Sequence, residues 1–417
     1  MVENSQFPKR FFWGAARSSK TSEARPDTFL FGAATSSHQV EGGNVNDWSV
    51  WEKENAERLS RESGGKYPPE NYISGKACDH YNRYEEDFDI AQKLGHNAHR
   101  FSIEWSRVEP EEGKFDDCEI EHYRQVIKAL RARGMEPLVT LWHWSLPLWL
   151  ADKGGVLAED FSSRFRRYAE RVCEGVGNDV RFWITINEPE IYALNSYFLG
   201  KWPPQKRGPI SFFRATYALN VAHHLAYRVI KKHMPNTVVG VAVNQSYFES
   251  AGGVVNDILT WEAERLWNRR FLWHVSDELD FIGLNYYFHN RIDYGFNKNT
   301  NKKISDMGHE LYPEGLYHLL IGLKQFQKPI YITENGLADT RDEHRAWFIR
   351  EHIRWMKKAM DEGADVRSYL HWSLLDNFEW DKGFWPRFGL VEIDYKTMER
   401  KIRSSAWEYK KIIEEGV

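Results

Sequence analysis

The chain of 417 residues carries 56 basic and 60 acidic side chains, for a formal charge of −4 and a pI near 6.5. The two signs are mixed along its length, which excludes an electrostatic footprint for nucleic acid or for an anionic membrane. Its three cysteines, Cys78, Cys118 and Cys173, make neither a Cys-x-x-Cys pair nor an even framework, so they read as buried or free thiols and not as a secreted disulfide scaffold.

In chain order, residues 1–26 come first. They lack an apolar signal core, and no window of the sequence approaches the roughly 18 apolar residues of a membrane-spanning helix, so a soluble cytoplasmic protein is expected. Within them, 11–19 is an imperfect copy of 29–37. The second copy is assigned as the first strand, because it continues into His38-Gln39-Val40-Glu41-Gly42 with an amide to face a ligand; residues 1–26 are treated as an N-terminal extension. From there, short aromatic and β-branched runs recur at 29–31, 99–103, 137–142, 182–186, 238–243, 279–284, 329–333 and 366–372. Several are apolar on both faces, as parallel strands covered on both sides are. Between them, stretches such as 120–133 and 343–362 place apolar residues at helical period with charges opposite. The basic run Arg164, Arg166, Arg167 and Arg171 reads as a solvated helix face. His223-His224, in a helical stretch, has no third ligand at metal spacing and reads as structural. No Gly-rich phosphate loop or dinucleotide fingerprint is present, so neither cofactor nor metal is expected.

Eight strands alternating with helices, with no linker or low-complexity stretch among them, predict one α/β domain, a (β/α)₈ TIM barrel over 27–417. In such a barrel the functional side chains sit at the C-terminal ends of the strands. Gln39 follows the first strand, Arg100 lies in the second, His143 follows the third, and Asn187 and Glu188 stand at the fourth. Tyr287 follows the sixth, Glu334 ends the seventh and Trp372 ends the eighth. Asn187-Glu188-Pro189 and Thr333-Glu334-Asn335 each put a glutamate where an apolar strand stops. A retaining glycosidase needs two such carboxylates, about 5 to 5.5 Å apart, one attacking the sugar and the other protonating the departing oxygen.

Several motifs in one order carry a family resemblance: Phe31-Gly32-Ala33-Ala34-Thr35-Ser36-Ser37-His38-Gln39, Arg100-Phe101-Ser102-Ile103-Glu104-Trp105, Leu141-Trp142-His143-Trp144, Thr185-Ile186-Asn187-Glu188-Pro189, Asn285-Tyr286-Tyr287, Thr333-Glu334-Asn335-Gly336 and Trp372 to Trp380. From about Phe29 to its end the chain resembles glycoside hydrolase family 1, the β-glucosidases and β-galactosidases. The resemblance implies Glu188 as acid/base and Glu334 as nucleophile, with Arg100 and Tyr287 beside Glu334. A cation and a phenol there are expected to depress the pKa of Glu334, while the charge of Glu334 raises that of Glu188. It also implies that Gln39, His143, Asn187, Glu379 and Trp380 hydrogen-bond the hydroxyls of a non-reducing sugar, with Trp372 under its ring and Trp144 as a supporting wall. Glu379 disfavours a 6-phosphate by charge, and Glu188 stands where a thioglucoside-cleaving branch carries glutamine.

The chain departs from the pattern at its rim. His309 stands where relatives have a tryptophan on the aglycone side, Ser145 replaces an aspartate, and 244–280 is short. A more open aglycone site with shortened loops is the expectation. The expected activity is hydrolysis of terminal β-glucosyl, and with it β-galactosyl or fucosyl, residues of small glycosides or oligosaccharides. Transglycosylation through the same intermediate stays open, as does the oligomeric state. A catalytically silent sugar-binding barrel is the rival from another class, and the presence of Glu188, Glu334, Arg100 and Tyr287 together speaks against it.

Overall fold

The computed structural model describes residues 28–415, and the expected extension 1–26 lies outside them. Eight parallel strands close a barrel in sequence order: β1 Leu30–Ala34, β2 Ala98–Ser102, β3 Glu136–Trp142, β4 Phe182–Asn187, β5 Val238–Ser250, β6 Phe281–Ile292, β7 Ile330–Asn335 and β8 Val366–Trp372. Closure is made by β1 on β8, where Leu30 pairs with Ser368 and Ala34 with Trp372. A short antiparallel pair, β9 Val391–Ile393 and β10 Arg400–Ile402, lies outside the barrel.

The helices form for local reasons legible in the chain. Asp117–Ala132 starts where the Asp116 carboxylate accepts from the backbone N–H of Cys118 at 2.8 Å, and buries Ile120, Tyr123, Val126, Ile127 and Leu130. The basic helix Phe161–Val176 spends its arginines in ion pairs: Arg164 with Asp160, Arg166 with Glu170, Arg167 with Glu109 and Arg171 with Asp117.

The barrel interior has two floors. Leu30, Ala98, Leu138, Phe182, Phe281, Tyr331 and Leu370, near the N-terminal ends of the strands, form a buried apolar plug. Above it the interior turns polar, with Arg100, Asn187, Asn285 and Glu334 all buried.

Irregularity is concentrated at that polar end. Pairing along β5 and β6 passes from Gln245 opposite Tyr286 to Ser246 opposite Phe288, so Tyr287 is the extra residue of a bulge. Along β6 and β7 it passes from Leu284 opposite Ile332 to Asn285 opposite Glu334, which leaves Thr333 unpaired. Bulges re-aim side chains beside active sites. Tyr287 therefore lies inside β6 and not after it as expected, because β5 and β6 run on together past the rim as far as Ser250 and Ile292.

Candidate active site

A cavity of about 340 Å³ opens over the C-terminal ends of the strands. Of the site residues expected from the sequence, Gln39, His143, Trp144, Asn187, Glu188, Tyr287, His309, Glu334, Trp372, Glu379 and Trp380 all line it. Arg100 does not. It lies behind the wall, 1% exposed, and acts through its neighbours.

Glu334 is gripped from two sides. Arg100 Nη1 donates to its Oε1 at 2.6 Å, and the Tyr287 hydroxyl, aimed by the bulge, donates to its Oε2 at 2.7 Å. The second arm of the same guanidinium donates to Asn187 Oδ1 at 2.6 Å, and Nε donates to Thr140 Oγ1 at 3.0 Å, so three strands are tied through one buried cation.

Glu188 caps the short helix Pro189–Ala193 with φ of +42°. Proline at the first helical position is favoured there. Left-handed backbone at a non-glycine residue costs energy and concentrates at functional sites, and Trp144 at +83° and Trp380 at +50° share it. Asn285 Nδ2 donates to Glu188 Oε1 at 2.7 Å and Asn244 Nδ2 donates to the same oxygen at 3.1 Å. An oxygen already accepting two N–H donors is the worse seat for a proton, so protonated Glu188 carries its hydrogen on Oε2. Thr333 Oγ1 donates to Asn285 Oδ1 at 2.7 Å, which fixes the orientation of that amide. Asn285 Nδ2 also donates to Asn187 Oδ1 at 3.2 Å, the oxygen that accepts from Arg100, so the hydrogen-bond partners of Glu188 and of Glu334 meet at one side chain.

Burial pushes the carboxyl of Glu188 up to about 8, with the facing charge of Glu334 adding to it and Asn285 and Asn244 opposing. Burial, more than the neighbouring charge, is therefore the main cause. Glu334 is also raised, by burial, against the lowering pull of Arg100 and Tyr287, so the expected depression is overturned: desolvation outweighs the cation. The difference between the two glutamates survives, because only Glu334 has a guanidinium and a phenol on it. Glu379 is held up to about 8 by burial and by the charge of Glu334. At neutral pH it is mostly neutral, and the charge expected to repel a 6-phosphate is largely absent.

The wall expected to face a sugar is pre-ordered. Gln39 donates to Phe378 O at 2.9 Å, Asn377 Oδ1 at 3.1 Å and Glu379 Oε2 at 3.2 Å, while its own Oε1 accepts from Ser36 Oγ at 2.7 Å. His143 Nε2 lies 3.0 Å from Asn187 Nδ2, and burial keeps its imidazole neutral. Trp144 donates to the backbone O of Asn187 at 2.8 Å and packs on Trp380 with centroids 4.8 Å apart. Buried His38 stacks on Trp380 from behind at 5.4 Å, with its Nε2 2.7 Å from Glu52 Oε1.

On the outer side, His309 packs edge-on to Phe288 at 4.7 Å, and burial with the nearby Lys382 lowers its pKa to about 4, so it presents a neutral ring. Ser145 is turned away from the pocket, donating to the buried Glu104 at 2.8 Å. His223 is fully engaged, with Nδ1 2.7 Å from Thr185 Oγ1 and Nε2 2.8 Å from Glu278 O, as its structural reading required. Among the described residues no group of three His, Cys, Asp or Glu is arranged to hold a metal ion, and all three cysteines are free. Sequence reasoning missed Asn244 and Asn285 as partners of Glu188. Asn285 stood in a quoted motif, whereas Asn244 gave no signal beyond following an apolar run.

A (β/α)₈ barrel with paired glutamates at the ends of β4 and β7, in a pocket walled by indoles and amides, defines an enzyme of the glycoside-cleaving class. The chain belongs to glycosyl hydrolase family 1, whose sequence profile matches residues 21–277 and 268–416. It is 32% identical over 444 residues to a 1,4-beta-D-glucan glucohydrolase of Thermotoga neapolitana, covering 93% of this chain and 98% of the relative. A beta-galactosidase of Pyrococcus woesei is 29% identical, covering 90% and 94%. Among solved structures, a beta-glycosidase from Pyrococcus horikoshii superposes with a TM-score of 0.84 at 38% identity, covering 92% of this chain and 93% of that one. A beta-glucosidase from Thermotoga maritima in complex with glucoimidazole also gives 0.84, at 31% identity, over 93% and 98%.

Proposed function

We propose that this glycoside hydrolase is a retaining, exo-acting β-glycosidase that removes terminal β-glucosyl residues from small glycosides, with Glu334 as nucleophile and Glu188 as acid/base. The ionised Glu334 attacks the anomeric carbon as the glycosidic C–O bond breaks, and Glu188 passes its Oε2 proton to the departing oxygen. Glu188, now ionised, takes a proton from water. The water oxygen bonds to the anomeric carbon, the glycosyl ester breaks, and Glu334 leaves as a carboxylate. Arg100 and Tyr287 position Glu334 and favour its ionised form. The observation that carries this reading is the hydrogen-bonded chain Glu188–Asn285–Asn187–Arg100–Glu334, which sets two carboxyls of opposed environment on one pocket. The activities for which the relatives are named, glucosidase and galactosidase, support acceptance of both sugars. The alignment supports shortened segments, since 93% of this chain cannot fill 444 aligned positions and the relative has residues where this chain has none.

An NMR time course of aryl β-D-glucoside hydrolysis tests it. β-Glucose as the first product is expected. First appearance of α-glucose overturns the double displacement, and no turnover of glucoside, galactoside or fucoside by folded protein overturns the enzyme reading in favour of a sugar-binding barrel.

A further inference from the structure

Trp380 lines the pocket in a conformation that needs support. Its backbone is left-handed, with φ of +50°, which a non-glycine residue keeps only where its surroundings impose it. Among the described residues its indole N–H donates to nothing, and it is not one of the sealed-off polar atoms, so that donor is open on the pocket. A ring whose polar edge is free for a ligand is held by its faces. His38 supplies such a hold, its imidazole 5.4 Å from the indole and within 12° of parallel.

His38 is itself fixed at both nitrogens. Nε2 meets Glu52 Oε1 at 2.7 Å, and Nδ1 meets Asn46 Nδ2 at 3.0 Å. Two contacts keep the Asn46 amide from turning over: its Oδ1 accepts from Ser49 N at 2.9 Å, and its Nδ2 donates to Glu104 Oε1 at 3.2 Å. Asn46 therefore donates to a lone pair on Nδ1, and Nε2 carries the proton offered to Glu52. Glu52 is 1% exposed and anchored in turn, its Oε2 accepting from Ser74 N at 2.8 Å and Ser74 Oγ at 2.7 Å. Against burial, the charges of Glu52, Glu104 and Asp47 raise the pKa of the ring; the Asn46 donor opposes them by occupying the lone pair a second proton needs. His96 makes the contrast, a buried ring with neither nitrogen partnered. None of His38, Asn46, Glu52 and Ser74 lines the pocket, so whatever this network does there it does through Trp380.

We propose that His38, held by Glu52 and Asn46, is a positioning residue for Trp380, setting the plane of the indole so that its N–H meets a hydroxyl of the bound sugar. The inference rests on the sugar contact read for Trp380 above.

A double-mutant cycle on aryl β-D-glucoside hydrolysis tests it, with His38→Gln, Trp380→Phe and the two together. Glutamine offers Glu52 an N–H but has no ring to lay on the indole, and phenylalanine keeps a ring at position 380 without the N–H. His38→Gln alone is expected to lower kcat/KM roughly three- to tenfold, the size of one hydrogen bond. The loss is expected in KM, with kcat within about twofold, because a contact remote from the reacting bond is made alike in bound substrate and transition state. In the Trp380→Phe background the same change is expected to cost less than about twofold. An unchanged KM in His38→Gln overturns the proposal. So does an equal loss in both backgrounds, which is what a histidine that only stabilises the fold would give. If Trp380→Phe by itself leaves kcat/KM unchanged, the sugar contact fails and the proposal with it, so the two failures are told apart. Where far-UV circular dichroism shows His38→Gln unfolded, Glu52→Asp takes its place in the cycle under the same criteria, since it draws the acceptor back from the ring and keeps its charge.

Discussion

At the scale of single residues, the role proposed for Glu188 makes its proton decide the pH profile, and Asn244 is then the side chain that tunes it without being the proposed acid itself. Its amide donates to the ionised carboxylate as readily as to the neutral acid's carbonyl-like oxygen, but the bond to the ion is the stronger, so removing it favours the protonated form. Asn244→Ala is therefore expected to move the alkaline limb of kcat/KM to higher pH by roughly half to one unit, the equivalent of one hydrogen bond of ~1 kcal/mol. A limb that stays or moves down counts against the donor role. Glu188→Gln is expected to lose that limb altogether with an activated leaving group, and to lose roughly 10²–10⁴-fold in rate with a poor one. His309→Trp restores an indole to the aglycone wall, and the ranking of aryl against disaccharide substrates is expected to change; an unchanged ranking would mean that the ring at this position contacts no aglycone.

At the scale of elements, Gly336 shows how closely β7 and β8 approach at Trp372. A methyl group on it would stand 1.8 Å from the carbonyl O of Trp372, with backbone as the obstacle. Gly336→Ala is expected to cost about 1–3 kcal/mol of stability, as overpacking does, and to lower kcat as Trp372 shifts, measured by urea unfolding and initial rates. All eight strands stand where their apolar runs placed them, because parallel strands buried on both faces write themselves into sequence as continuous apolar blocks. The continuation of β5 and β6 past the rim was not legible, since Asn244 to Ser250 and Tyr286 to Ile292 mix polar and aromatic residues with no clean alternation. Nor were the bulges at Tyr287 and Thr333, which depend on pairing between strands and not on any one strand. The left-handed backbone at Glu188, Trp144 and Trp380 was equally hidden, being imposed by tertiary packing on residues that do not prefer it.

At the scale of the whole molecule, chemistry and stability pull apart. Burial holds Glu188, Glu190 and Glu379 up to about 8, and Glu41 and Asp47 up to about 7. In the unfolded chain these groups ionise near pH 4, and buried histidines such as His96, His143 and His309, neutral in the fold, take up protons below about pH 6.5 only on unfolding; between about pH 6.5 and 8 the acids alone set the slope, the folded state binds more protons, and stability falls as pH rises. Calorimetry is expected to show a higher Tm at pH 6.5 than at pH 8.5, and Glu188→Gln is expected to flatten that fall and raise Tm at pH 8; a steeper fall in the variant counts against the buried-acid assignment. The pKa balance could not be read from sequence, which names the neighbours of a carboxyl but not how little water reaches it. The barrel closes from Leu30 onward, so a chain lacking residues 1–26 is expected to keep its kcat/KM, checked on the truncated protein. The apolar plug below Arg100 floors the pocket from beneath. On the proposed double displacement, departure is ordered: the aglycone leaves first, and the freed monosaccharide must back out before another substrate can enter. On the same proposal the released sugar competes with incoming substrate for the same hole, and an oligosaccharide is expected to be shortened one unit at a time from its tip, with full release between cuts.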